Sequence, residues 1–155
     1  MKYFTKAWWE NGCEDAQQLF AEYNAYLESI QDQLPKELIQ FNELHTLHDA
    51  EIKRIAFSQV DAKLNMDFLG WDYEFQFPVR YHLQFLSVSR FEQIFPQADY
   101  VEQELGDLGY WEYEKLSQGI EMRMLFVSGA EFIVLFSGFE FSSSTPEAWR
   151  DGSHV

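Results

Sequence analysis

Residues 45–51 read HTLHDAE and hold two histidines, an aspartate and a glutamate in seven positions. His45 and His48 are three apart, so a helix running through both puts the two imidazoles on one face. Asp49 then stands ready to add an oxygen ligand, and imidazole with carboxylate suits zinc or a similar ion. The set is short of a full ligand count. His82 is the remaining histidine outside the C-terminal stretch that carries His154, and the HExxH arrangement of helical zinc hydrolases does not occur. A local reading competes with the metal one. Histidine complements the dipole at a helix C-terminus, and aspartate favours turns because its carboxylate bonds nearby amides. The expectation is therefore a joint between helix and strand, with a metal site of His45, His48 and Asp49 as the alternative.

Other chemistry is thinner. Glu112, Glu114 and Glu121 fall on two neighbouring strand segments, where facing carboxylates would resemble a glycosidase pair. Glu112 and Glu114 alternate with Trp111 and Tyr113, however, which is how a solvated strand face reads. Cys13 sits among Glu10, Glu14 and Asp15, neighbours that disfavour a thiolate nucleophile. No glycine-rich phosphate loop, GxSxG elbow or CxxC pair is present. No catalytic residue and no cofactor is expected.

The elements that must position these groups come from one domain's worth of chain, 155 residues. Fifteen Phe, eight Tyr and five Trp provide large rings enough for a substantial core. The net charge of −15 repels phosphate backbones and anionic lipid, so nucleic acid and membrane are poor partners, whereas a basic protein is a good one. A single cysteine rules out an intrachain disulfide, and no apolar run suits a signal peptide or a membrane span, so a cytoplasmic location is expected.

From Glu14, the residues Ala16, Phe20, Tyr23, Leu27 and Ile30 recur at helical steps, and Pro35 is placed to open a second helix through Leu38, Phe41 and Leu44. After Asp49 the apolar period drops from about 3.6 to 2. Strands are expected over Glu51–Val60, Lys63–Phe68 and a long Tyr73–Phe85 bent at Pro78. Phe91–Phe95 and Tyr100–Leu105 read as short helices separated by Pro96. Tyr110–Leu116, Ile120–Val127 and Glu131–Phe136 read as strands joined by tight turns at Gln118-Gly119 and Ser128-Gly129. The fold expected is α+β, with N-terminal helices packed on an antiparallel sheet of about five or six strands. It is read as one domain over residues 1–141, with 142–155 a loose tail. The paired Trp8-Trp9, with Trp71, Trp111 and Trp149, lies near element ends, where exposed rings mark contact surfaces. The odd-numbered aromatics Phe75, Phe77 and Tyr81 either line a ligand cup or pack beneath helices.

The opening MKYFTKAWW (1–9), the joint LHDAEI (47–52) and the closing YEKLSQGIEMRMLFVSGAEFIVLF (113–136) resemble a bacterial family of uncharacterised small proteins, a domain of unknown function. Its members begin MKYFTK followed by an aromatic pair. The LHD-plus-strand element is also similar to small domains among toxin-immunity proteins, where it introduces the first strand. Neither resemblance carries over catalytic residues. Together with the charge, they imply a non-catalytic, acidic domain for protein binding or regulation, with an immunity-like inhibitor as one form of it; the metal-dependent enzyme is the alternative.

Overall fold

A computed structural model describes residues 1–96 and 104–146. Three helices come first: α1 (Lys6–Glu10), α2 (Ala16–Ile30) and α3 (Lys36–Leu44). Eight strands follow among the described residues. These are β1 (Glu51–Ser58), β2 (Lys63–Trp71), β3 (Pro78–Leu86), β4 (Arg90–Ile94), β5 (Leu108–Leu116), β6 (Gly119–Phe126), β7 (Glu131–Phe136) and β8 (Gly138–Ser144). They form two antiparallel sheets of four, ordered β1-β2-β3-β8 and β4-β7-β6-β5.

The α+β class is as expected, but two four-stranded sheets replace the expected single sheet of five or six strands. The reason lies in the alternation itself. Leu64, Met66 and Phe68 of β2, and Tyr81, Leu83 and Phe85 of β3, are buried on one face. Met122 and Met124 of β6, and Phe132, Val134 and Phe136 of β7, are buried on another, and all join one core. The Phe85 and Phe136 rings meet edge-on at 5.0 Å. Each sheet thus buries apolar surface against the other, and the helices take side positions. On α3, Phe41 packs against Tyr81, Phe139 and Phe141. On α2, Tyr23 and Tyr26 reach the free edge of β5, their hydroxyl oxygens accepting the Tyr113 and Lys115 amides at 2.7 and 2.9 Å.

Three local expectations are corrected. Residues 91–95 are not a helix: Arg90–Ile94 form β4, paired with β7 from Arg90↔Leu135 to Ile94↔Glu131. A five-residue helix is marginal without a cap such as Thr5 gives α1, and here the adjacent β7 edge supplies the backbone partners instead. The second short helix, Tyr100–Leu105, falls mostly outside the described residues. The long strand Tyr73–Phe85 is also shorter than read. Pro78 starts β3, where its missing amide costs no ladder bond, and Tyr73–Phe77 belong to the connection from β2. Finally, Ser142–Ser144 continue β8 opposite His82, Tyr81 and Arg80.

The N-terminal segment is held on the second sheet, and α1 continues from it. Thr5 caps α1, its hydroxyl accepting the Trp8 amide at 3.1 Å. Trp9 then lies directly on Gly109 of β5, where an added Cβ would stand 2.3 Å from the Trp9 ring. Gly109→Ala is therefore expected to displace that ring and to lower stability by about 1–3 kcal/mol, the usual cost of overpacking. Thermal unfolding together with tryptophan emission checks it.

Candidate functional site

HTLHDAE is built as a joint. His45 is the residue at which α3 ends, its amide still bonded to the Phe41 carbonyl. The Thr46 hydroxyl accepts the His48 amide at 3.2 Å, and Leu47 is fully buried. Asp49 adopts a left-handed backbone (φ 62°), which aspartate tolerates better than most residues, and its amide bonds the Leu108 carbonyl at 2.9 Å. Ala50 then forms an isolated bridge with Leu108, fastening the joint to the start of β5.

This geometry separates the histidines. The His45 ring lies against Phe41, Tyr81 and Phe141, and burial pushes its pKa down. The His48 Nδ1 is 2.9 Å from the Gly109 carbonyl, which fixes the proton on that nitrogen, while its Nε2 is 3.6 Å from Asp49 Oδ1. His82 pairs with Asp67 across β2 and β3. His48 and Asp49 are brought together, and His45 does not join them. Among the described residues no three His, Cys, Asp or Glu side chains group to hold a metal ion.

The three glutamates are brought together around one arginine. Arg123 of β6 reaches Glu112 at 3.0 Å, Glu114 at 2.9 Å and Glu121 at 3.0 Å. Glu112 is fully buried rather than solvated, and it also accepts the backbone amides of Lys2, Tyr3 (2.8 Å) and Phe4 (3.2 Å). The Met1 amine adds an ion pair with Glu131 at 3.3 Å. Burial alone would raise the Glu114 carboxyl; the Arg123 hydrogen bond and charge, with Lys2, overcome it and hold the group below its ordinary value. Arg123 is likewise held above its own by the three carboxylates, against the effect of burial. Glu112 binds the backbone of residues 2–4 to the sheet and shares its acceptors between those amides and Arg123.

The unusual surface is the connection Trp71–Phe77. Tyr73 is 61% exposed, Phe77 49%, Phe75 45% and Trp71 39%, so four large rings within seven residues face solvent. The loop is nonetheless tightly built. The Asp72 amide bonds the Phe77 carbonyl and the Phe75 amide bonds the Asp72 carbonyl, both at 2.9 Å. The Asp72 carboxylate accepts the amides of Gln76 and Phe77 at 2.6 Å each. Those amides, Phe77 first, hold the Asp72 carboxyl below its ordinary range despite some desolvation. The brace is therefore complete at neutral pH and is given up only as acid reaches that lowered value. Phe75 is left at φ 59°, a strained conformation for an aromatic residue. Its ring meets that of His48 edge-on at 6.1 Å, so HTLHDAE borders the loop.

Alternation alone put these aromatics on a strand face. The signal that distinguishes them is Asp72 ahead of Pro78, a turn-bracing carboxylate followed by a residue that cannot donate to a ladder. Trp149 and His154 lie outside the described residues. No helix among the described residues is long and apolar enough to cross a membrane.

No curated protein matches the chain. Residues 1–136 match the family described as "Protein of unknown function (DUF4085)", a span that takes in the MKYFTK opening, the HTLHDAE joint, the aromatic loop and the Arg123 cluster. The chain belongs to DUF4085.

Proposed function

We propose that the protein is a non-catalytic binding domain that engages a basic partner protein through the Trp71–Phe77 loop. The observation that carries this reading is the braced loop with four exposed rings. The exposed parts of these rings provide large contact area for little ordering cost, because their backbone is already fixed. Asp72 and Glu74 interleave with the rings, and Asp49 lies beside the neighbouring His48. Lysine or arginine side chains of a partner would find both carboxylates and ring faces there. The net charge of −15 steers such a partner from a distance. An immunity-type inhibitor of a basic toxin is one form this function takes, in a cytoplasmic setting supported by the single free thiol of Cys13.

The test is affinity purification from the source cell with wild-type protein and with Tyr73→Ser/Phe75→Ser, at low and high salt. A basic protein is expected to be retained by the wild type at low salt and released as salt screens the charges. Its affinity for the double variant is expected to be at least about tenfold weaker, as for the loss of interface anchors. Equal retention by both proteins would overturn the proposal.

A further inference from the structure

A second site lies on the other side of His48. Between the N-terminal segment, α2 and β5 is a cavity of about 460 Å³, within the range of small-molecule sites. Its walls are mainly aromatic. Phe4 stacks on Tyr110 at 5.6 Å and meets Tyr23 edge-on at 5.2 Å, with Phe20 and Trp111 completing the lining. Polar groups are few. The Asn42 Oδ1 is held by the Tyr113 hydroxyl at 3.2 Å, which leaves the amide nitrogen as a donor. His48 holds its Nδ1 on the Gly109 carbonyl, so Nε2, beside Asp49, is the ring nitrogen left for a ligand. Asn24 is exposed at the rim.

The lining also says what does not fit. Among the described residues that line the cavity none is Lys or Arg, and Asp49 lies near enough to act electrostatically on the Tyr110 phenol. In a chain of net charge −15, an anionic or phosphate-bearing ligand meets repulsion with no counter-charge. Flat apolar rings suit walls of this kind, and a cationic ring gains further from the aromatic faces.

We propose that this cavity is a binding site for a planar, nitrogen-containing aromatic molecule, neutral or cationic, held against the wall formed by Tyr110, Trp111 and Phe4 with its polar edge on Asn42 and His48. The proposed site does not rest on the role given to the Trp71–Phe77 loop, although His48 borders both.

Saturation-transfer NMR with three matched probes tests it: quinoline, N-methylquinolinium and quinoline-2-carboxylate. Quinoline and N-methylquinolinium are expected to bind, and the carboxylate at least about tenfold more weakly. Leu27→Trp, which fills the cavity from α2, is expected to abolish binding of all three. Should that variant fold poorly, Asn24→Trp places the same bulk on an exposed helix position at the mouth and is expected to weaken binding at least about tenfold. The proposal is overturned if no probe binds wild-type protein at millimolar concentration, if the carboxylate binds as well as the others, or if a folded blocking variant binds like the wild type.

Discussion

Replacing Glu112 with alanine is expected to lower stability by about 3–5 kcal/mol, the cost of leaving a buried charge and its partners without compensation. Four donors lose their acceptor at once: the amides of Lys2, Tyr3 and Phe4, and the Arg123 Nε. In a domain of this size that corresponds to a fall in Tm of roughly 10 °C. Hydrogen exchange separates the two parts of the loss. Amides 2–4 are expected to lose protection first, because the segment is released while the sheet persists. Arg123→Met attacks the same cluster from the other side and leaves Glu112, Glu114 and Glu121 facing one another. Glu114 has a folded pKa below its unfolded value, so its contribution is present above the ordinary glutamate range and is lost as pH falls through the lowered value. The double variant Glu112→Ala/Arg123→Met is expected to cost less than the sum of the two single changes. Strict additivity would show that the two side chains do not act as a pair.

The second large effect belongs to Tyr23. Its hydroxyl oxygen accepts the Tyr113 amide on the outer edge of β5, a bond that is buried. Tyr23→Phe keeps the ring and its packing but leaves that amide with no partner, at a cost of about 1–3 kcal/mol. Tyr26→Phe removes the equivalent bond to Lys115, which is only partly buried, so its cost is expected to be smaller. Alkaline titration gives an independent check. Burial pushes the Tyr23 phenol far above its ordinary value, so the folded protein keeps this proton where the unfolded chain releases it. Stability is then full below about pH 10 and falls above it by about 1.4 kcal/mol per pH unit for such a group. Tyr23→Phe is expected to flatten that slope. An unchanged Tm together with an unchanged slope would mean that α2 does not cap the strand.

What could be read from the residues followed from the strength of the local signal. At β2, alternation along the strand coincides with one buried face, so period and packing agree, whereas β6 is buried on both faces and was legible from the tight turns that bound it. At β4 they part company. Phe91, Ile94 and Phe95 carry helical spacing, yet the segment takes its backbone partners from β7. Tyr73, Phe75 and Phe77 kept the period of a strand, but Asp72 folded them into a turn. HTLHDAE was legible as a joint because capping and turn chemistry are local. The convergence of Glu112 on residues 2–4 was not, since more than a hundred positions separate the partners. Surface and buried glutamates look alike along a chain until Arg123 and the N-terminal amides are set beside them.

The return of β8 to the first sheet has a kinetic side. Strands β1, β2 and β3 are neighbours in sequence and form by local hairpins, whereas β3 finds its second partner only after the whole of β4–β7 has been made. Closing that long loop is entropically slow, so completion of the first sheet is set late in folding. Until then β3 offers a row of unpaired amides and carbonyls to any other strand. The region matched to the family ends at residue 136, with β7, two residues before β8 begins. Protein cut at that point keeps the second sheet whole and leaves the first open at β3, so it is expected to self-associate through that edge.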